Sequence, residues 1–161
     1  MTITKYVKKI NQPKNKMFIA YVRLFLPQIF PDLDRILYLD SDVLIVNRGI
    51  ERLFEQNIDD YYALAAYDIP CEFGNSFTDR MNIKTKHYFN SGVMLFNLKK
   101  IREDGIDKQL EQDLLSWPPE IKNIQHDQTL MNYRFQDKVF FIKFLFNNMI
   151  FGAPVWFLPI Y

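Results

Sequence analysis

Two carboxylates one residue apart, Asp40 and Asp42, directly follow the apolar run Arg35–Leu39. A short run that is partly β-branched and aromatic predicts a buried strand, and in open α/β sheets ligands bind beyond the carboxyl ends of strands. In extended backbone, residues i and i+2 point to the same face about 6 to 7 Å apart, so both carboxylates can approach one cation. Oxygen ligands suit Mn²⁺ or Mg²⁺, which waters and substrate phosphates usually complete. The pair therefore predicts a metal site that binds a nucleotide diphosphate.

The segments around the acidic pair alternate between helical and strand patterns. Apolar runs predict strands at residues 35–39, 61–67, 93–96 and 139–142. Helical patterns lie at 16–30, at 50–56 with Leu53 and Phe54 facing inward, at 99–116 as one amphipathic helix, and from 127 onward. Residues 68–87 read as a loop, and Asn90 to Gly92 as a turn that leads into the third strand. This alternation predicts an α/β domain with a mostly parallel central sheet flanked by helices.

The composition is that of a globular chain with an excess of aromatic residues. Its 161 residues suffice for one domain with a hydrophobic core. A net charge of +1 gives no support for nucleic-acid binding. The basic start of the chain is interpreted as solvated, with a patch that faces a membrane surface or a phosphate as the alternative. Cys71 is the only cysteine, which excludes an intrachain disulfide and favours the cytoplasm. Aromatic residues make up 16% of the chain, so a missing covering segment would favour self-association.

Four motifs occur in a recognisable order along the chain. They are Arg23-Leu24, Tyr38-Leu39-Asp40-Ser41-Asp42, Tyr88-Phe89-Asn90-Ser91-Gly92-Val93 and Asp127-Gln128. Together they resemble the successive motifs of glycosyltransferase family 8, over roughly residues 17–147. The resemblance implies a GT-A fold and the transfer of glucose or galactose, with retention, from a UDP-sugar to a saccharide, lipopolysaccharide or protein acceptor.

The resemblance also implies roles for the residues that follow the first predicted strand. Asp40 and Asp42 would bind Mn²⁺ (or Mg²⁺) and the UDP diphosphate, with the Ser41 backbone near the nucleotide. Arg23 would contact the donor and help to neutralise its phosphates, as a guanidinium with several donors does well. The competing interpretation of Arg23 is a surface charge on an amphipathic helix, and that of Asp40 and Asp42 is a turn pair exposed to solvent.

The remaining motif residues are expected around the donor sugar. Asn90, Ser91 and Gly92 would hold the sugar, and Asp68 would lie near its hydroxyls. The resemblance places Asp127 and Gln128 beneath the sugar ring as the catalytic residues, one a donor-binding acid and the other facing the developing oxocarbenium-like centre. The simpler alternatives are turn chemistry for the first three and a charge at a helix N-terminus for Asp127.

Two expected segments are not found in the sequence. The family begins with a strand and loop that cradle the uracil and ribose, and it ends with a His-x-x-Gly-x-x-Lys-Pro-type segment that supplies a metal ligand and a phosphate contact. We therefore expect residues 1–161 to form a single, partial catalytic domain that is a poor enzyme by itself.

Two other functions compete with glycosyl transfer. One is a truncated, inactive domain that binds nucleotide sugars or serves as an interaction piece. The other is an aspartate-nucleophile phosphotransferase of the haloacid dehalogenase type, with Asp40 as nucleophile and Asp42 as acid/base. Val43-Leu44 replaces the Gly-Thr pair that usually follows the second acid in that class, which weighs against it.

Overall fold

The computed structural model describes residues 16–45, 48–68, 87–118 and 126–142. Within these residues, two 3₁₀ helices span Lys16–Phe25 and Ile50–Glu55, and the α-helices are α1 Leu26–Ile29, α2 Leu98–Glu103, α3 Ile106–Ser116 and α4 His126–Phe135. The strands are β1 Arg35–Leu39, β2 Ala63–Tyr67, β3 Phe89–Asn97 and β4 Val139–Ile142. The predicted α/β class is confirmed, and each predicted strand is present.

The described strands form one sheet in the order β1-β3-β2-β4. Strand β3 pairs antiparallel with both β1 and β2, whereas β4 pairs parallel with β2. Three strands therefore share one direction and β3 runs against them. The expectation of a mostly parallel sheet is wrong for these pairings, because the one reversed strand lies between two others and so contributes two of the three interfaces.

The reversed direction of β3 brings its first residues to the carboxyl ends of its neighbours. The last residues of β1 and β2 both pair near the start of β3. Beyond those strand ends, the Asp40 N–H donates to the Gly92 carbonyl over 2.8 Å and the Asp68 N–H donates to the Tyr88 carbonyl over 2.8 Å. The segments that follow β1 and β2 therefore meet the segment that opens β3.

The two central strands of the sheet, β2 and β3, are largely buried on both faces. The prediction of a buried strand at Arg35–Leu39 is wrong in degree, since each residue of β1 is only partly buried at the end of the described strand order. Alternate residues of β2 and β3 point to opposite sides, as the strand period of two requires. Toward the first 3₁₀ helix, α3 and α4, the sheet contributes Ala63, Ala65, Met94 and Phe96. The other face packs against Leu53 of the second 3₁₀ helix through Leu64, Ala66 and Leu95. Burial of this kind is the main favourable contribution to folding.

The predicted single helix over 99–116 is two helices. Gly105 separates α2 from α3 and adopts a left-handed φ of +68°, which glycine tolerates because it lacks a Cβ atom. The apolar spacing itself was predicted correctly, since its four members are all buried: Ile101, Ile106, Leu110 and Leu114.

Two further predictions about local structure are wrong. Phe54 is 45% exposed although it was expected to face inward with Leu53, because neighbouring residues of a 3₁₀ helix project about a third of a turn apart. The segment from Asn90 to Gly92 is not a turn, since β3 begins at Phe89 and carries all three residues. Most of the predicted loop at 68–87 lies outside the described residues. Among the described helices, none has the length and apolar character needed to cross a lipid bilayer.

We predict that Gly105→Ala lowers the free energy of unfolding by about 1 to 2 kcal/mol, because alanine in left-handed backbone is strained. A Cβ atom at this position would meet no heavy atom within 4 Å, so the loss is conformational rather than steric. The Gly105→Asn variant, measured by urea unfolding under the same conditions, should lose less stability than Gly105→Ala because asparagine tolerates this conformation. Equal stabilities of the alanine variant and the parent would contradict the assigned φ.

Candidate active site

Asp40 follows β1 and is held by two donors on one oxygen. Its Oδ1 accepts a hydrogen bond from the Tyr38 hydroxyl at 2.8 Å and one from Arg23 Nη2 at 2.7 Å. Burial, and to a lesser degree the hydrogen bond to Asp40, raises the pKa of Tyr38 to about 12, against the opposing effect of the Arg23 charge. Tyr38 therefore remains a neutral donor at physiological pH, and it fixes the orientation of the Asp40 carboxylate.

Arg23 is buried and joins three segments of the chain. Besides Asp40, its guanidinium donates from Nη1 to the Ser91 carbonyl at 2.6 Å and from Nε to the Ala20 carbonyl at 3.2 Å. Nε also lies 2.9 Å from Asp127 Oδ2 in an ion pair. The carbon of the guanidinium lies 4.2 Å from the centre of the Tyr38 ring, a cation–π distance. The interpretation of Arg23 as a solvated surface charge is therefore wrong.

Asp127 opens helix α4 and is almost fully buried. Burial raises its pKa to about 6, although the neighbouring Arg23 charge acts in the opposite direction. Its Oδ2 has the ion pair with Arg23 but accepts no directed hydrogen bond from the described residues, because the Nε–H of Arg23 points to the Ala20 carbonyl. This oxygen is thus a buried acceptor that still has hydrogen-bonding capacity.

Gln128 connects β3 to the segment after β2. Its Oε1 accepts a hydrogen bond from the Ser91 N–H at 2.9 Å, and its Nε2 donates to Asp68 Oδ2 at 2.8 Å. Asn90 Nδ2 donates to the same Asp68 oxygen at 3.3 Å. Both ends of the Gln128 amide are therefore engaged, and only one placement of its oxygen and nitrogen satisfies the carboxylate and the N–H together.

Gly92 is required for the close approach of two site residues. A Cβ atom at this position would lie 3.1 Å from Asn90 Oδ1 and 3.3 Å from Asp40 Oδ2, both tighter than ordinary contact. Asn90 Oδ1 accepts a hydrogen bond from the Gly92 N–H at 2.9 Å, which keeps the two residues together. The glycine thus leaves room for the Asn90 side chain to lie beside the Asp40 carboxylate.

Asp42 and Ser41 lie apart from this network. Both are exposed, and the Asp40 carbonyl accepts a hydrogen bond from the Val43 N–H at 3.1 Å, so the segment turns instead of continuing as a strand. The extended geometry that was expected to bring Asp40 and Asp42 to one face is therefore wrong. β3 continues to Phe89 and still accepts a hydrogen bond from the Asp40 N–H, so it is the segment after β1 that turns away from β3 beyond Asp40.

The carboxylates of Asp40 and Asp42 still offer oxygen ligands that suit a divalent cation. Among the described residues, none donates a hydrogen bond to Asp40 Oδ2 or to the Asp42 carboxylate. These hard anionic oxygens fit Mg²⁺ or Mn²⁺, which commonly take one or two carboxylates and complete their shell with water and phosphate. No group of three or more His, Cys, Asp or Glu side chains gathers as a metal site within the part of the chain that the structure describes.

Two residues of the network were not predicted from the sequence as site residues. Tyr38 precedes Asp40 by two residues, and its role could have been inferred from the polar hydroxyl in an otherwise apolar strand. Asn132 lies four residues after Gln128, one helical turn further along α4, and its carboxamide reaches the backbone of β3. That spacing places both amides on one face of the helix, which is the signal that could have identified Asn132.

Comparison with known proteins agrees with the order of the motifs. The profile of Glycosyl transferase family 8 matches residues 1–153, so the chain belongs to this family. A putative glycosyltransferase of Haemophilus influenzae is 29% identical over 143 residues, which are 85% of this chain and 42% of that protein. Glycosyltransferase GlyB of Streptococcus pneumoniae is 33% identical over 89% of this chain and 32% of its own length. The chain thus spans less than half the length of these relatives.

Solved structures support the same fold. The galactosyltransferase LgtC, in complex with donor and acceptor sugar analogs, is 27% identical with a TM-score of 0.69, over 79% of this chain and 45% of LgtC. Another LgtC structure, with an active-site glutamine changed to glutamate, gives a TM-score of 0.70 at 25% identity, over 86% of this chain and 50% of LgtC. The resemblance and the GT-A-like fold are confirmed, and the phosphotransferase alternative loses its support. The individual roles of the site residues remain predictions.

The buried position of Asp127 predicts a pH-dependent stability. Its folded-state pKa of about 6 lies above the ordinary value of 3.8, so between these values the folded state keeps a proton that the unfolded state releases. Raising the pH through this window therefore lowers the free energy of unfolding, by on the order of 3 kcal/mol at most.

Urea unfolding of the metal-free protein at pH 4 to 7 checks this expectation against Asp127→Asn. The stability of the parent relative to this variant should fall as the pH rises. Asp137→Asn removes an exposed carboxylate and controls for the general loss of one charge. A stability difference between parent and Asp127→Asn that stays constant with pH would contradict the raised pKa.

Proposed function

We propose that this chain contributes the donor site of a retaining hexosyltransferase, which moves glucose or galactose from a UDP-sugar to a saccharide, lipopolysaccharide or protein acceptor. The observation that carries the proposal is the meeting of five separate segments at the carboxyl ends of β1 and β2. Buried hydrogen bonds and ion pairs connect them through Arg23, Asp40, Asp68, Ser91, Asp127 and Gln128. Family membership supplies the class of chemistry.

The charges of the site support a cation-assisted departure of UDP. The network holds three carboxylates, on Asp40, Asp68 and Asp127, together with the guanidinium of Arg23, and the exposed Asp42 follows Asp40 by two residues. A diphosphate would be repelled by this excess of negative charge unless a divalent cation came between them. We assign that cation, Mn²⁺ or Mg²⁺, to Asp40 and Asp42. It would stabilise the negative charge that develops on the departing diphosphate.

The buried residues of the network suit the sugar end of the donor. Asp68 and Asp127 can accept hydrogen bonds from sugar hydroxyls, and Asn90 offers an amide beside them. Their negative charge would also stabilise an oxocarbenium-like centre, and burial strengthens that effect. We assign Gln128 to the face of the ring beneath this centre, where its amide is already fixed from both ends. The LgtC variant described above carries its mutation at an active-site glutamine, which supports this assignment.

Arg23 acts mainly by holding the acidic residues in place. Each of its three nitrogens has a partner within the protein, so its guanidinium is committed before a donor arrives. The positive charge nevertheless lies next to Oδ1 of Asp40, the oxygen that also accepts the Tyr38 hydroxyl, and it reduces the repulsion between Asp40 and Asp127. We therefore retain Arg23 as a donor-site residue whose contribution to phosphate binding is indirect, and place Ser41 beside the nucleotide.

The partners follow from the proposed reaction. LgtC was solved with donor and acceptor sugar analogs, which supports a sugar donor and a saccharide or glycoconjugate acceptor here. The single cysteine favours the cytoplasm, and the basic start of the chain is consistent with work at a membrane surface. Exposed apolar side chains, including Leu44 at 81% and Leu115 at 62%, are consistent with self-association.

Release of UDP from UDP-glucose and UDP-galactose tests the function. With Mn²⁺ present we expect release above the rate in buffer, and Gln128→Ala should lower it about 10- to 100-fold, because a misplaced group at the reacting centre costs rates of that order. Gln109→Ala is the matched control, since Gln109 on α3 accepts a hydrogen bond from Arg134 and lies outside the network. If the parent chain releases UDP from neither UDP-glucose nor UDP-galactose, the alternative of an inactive domain that binds nucleotide sugars is favoured.

Binding of UDP tests the metal assignment separately. Calorimetric titration should show tighter binding with Mn²⁺ than without it, and Asp42→Asn should reduce the metal-dependent gain about 10-fold or more. Asp137→Asn removes an equally exposed carboxylate before β4 and should leave the affinity unchanged. Equal affinities in the parent and in Asp42→Asn, with and without Mn²⁺, would overturn the assignment of the acidic pair.

A further inference from the structure

The first residues of β3 extend beyond the end of β1. The ladder between these strands runs from the pair Arg35 and Asn97 to the pair Leu39 and Val93. The backbone groups of Phe89 and Ser91 lie past that ladder, and a buried N–H or carbonyl without a partner costs free energy. Within the described residues, side chains and not β1 supply the hydrogen bonds of these groups.

Asn132 supplies two of them at once. Its Oδ1 accepts from the Phe89 N–H at 2.9 Å, and its Nδ2 donates to the Phe89 carbonyl at 2.9 Å. The carboxamide thus pairs with Phe89 as a residue of an adjacent strand would. The same Nδ2 donates to the Gln128 carbonyl at 3.0 Å, which ties the pairing to the helix turn that carries Gln128. Asn132 has no exposed surface.

We propose that Asn132 is a positioning residue for the donor-sugar pocket, an inference that rests on the proposed function. It fixes the distance between the start of β3, which carries Asn90 and Ser91, and the first turn of α4, which carries Gln128. It touches no substrate in this role. Without it, Phe89 loses both hydrogen bonds, and the Ser91 N–H and Gln128 Oε1 lose the restraint that keeps them 2.9 Å apart.

A matched control lies at the other end of the same strand. Asn97 is also buried, donates from Nδ2 to the Ile58 carbonyl at 3.0 Å, and caps α2 by accepting from the Lys100 N–H at 3.0 Å. Asn97→Ala and Asn132→Ala each remove a buried carboxamide that satisfies main-chain groups. Both variants should unfold at a lower temperature than the parent, but only one of them should disturb the pocket.

The decisive measurements are the turnover number for UDP release, the affinity for UDP with Mn²⁺, and amide hydrogen exchange at Phe89 and Ser91. Asn132→Ala should lower turnover about 10-fold or more while UDP affinity stays within about 2-fold, because the acidic pair does not depend on Asn132. Exchange at Phe89 and Ser91 should accelerate. Asn97→Ala should keep both turnover and exchange at these two amides within about 2-fold of the parent. Asn132→Ser, which retains a hydroxyl, is the milder variant if the alanine variant does not fold.

Two results would overturn the inference. One is unchanged exchange at Phe89 and Ser91 in a folded Asn132 variant, and the other is an equal loss of turnover in the Asn97 and Asn132 variants, which would indicate general destabilisation. Absence of turnover in the parent would count against the proposed function instead. Hydrogen exchange needs no ligand, so it would still decide whether Asn132 holds the start of β3.

Discussion

The structure of the site depends on one constraint, namely that β3 continues past the end of β1 while its backbone stays buried. Phe89 and Ser91 present main-chain donors and acceptors that none of the described strands reaches on that side, and each must find a partner. Asn132 satisfies both groups of Phe89, Gln128 satisfies the Ser91 N–H, and Arg23 satisfies the Ser91 carbonyl. Because these three side chains come from two different helices, the need to satisfy one short stretch of backbone brings the helices and the sheet together at the site.

Arg23 stabilises this arrangement through its positive charge as well as through its hydrogen bonds. A single buried guanidinium lies within 3 Å of oxygens on Asp40 and Asp127, two carboxylates that would otherwise repel each other in a region of low dielectric. Breaking a buried pair by removing one partner is costly because the other charge is left uncompensated. A lysine in place of Arg23 would keep the charge but could not reach Asp40, Asp127 and the Ser91 carbonyl together from one point.

The sequence predicted the strands well and their relative directions poorly. Apolar runs such as Arg35–Leu39 and Val139–Ile142 form strands whichever way their neighbours run, so the sequence pattern finds the strands without fixing their direction. The direction of β3 relative to its neighbours cannot be predicted from the order of apolar and polar residues within the strand itself. In the site, the family resemblance named residues that the structure brings together, whereas contacts between residues sixty or more positions apart, such as Gln128 with Asp68, set the geometry. The sequence pattern also failed at two places where the backbone changes direction. These are Gly105, which divides the predicted helix, and the turn after Asp40.

The two ends of the proposed donor site differ in how far they are organised before a ligand binds. At the sugar end, Asp68, Asp127 and Gln128 are buried and constrained by protein contacts, so their orientation costs little at the moment of reaction. At the diphosphate end, Ser41 and Asp42 are exposed on a turn, and Asp42 has no partner among the described residues. A cation and its diphosphate would therefore have to order the exposed end on binding. The free energy spent on that ordering lowers the affinity for UDP. Changes in the buried network instead lower the rate of the step that breaks the bond to the sugar. This separation is the physical reason that substitutions at Asp42 and at Asn132 are expected to affect different measured quantities.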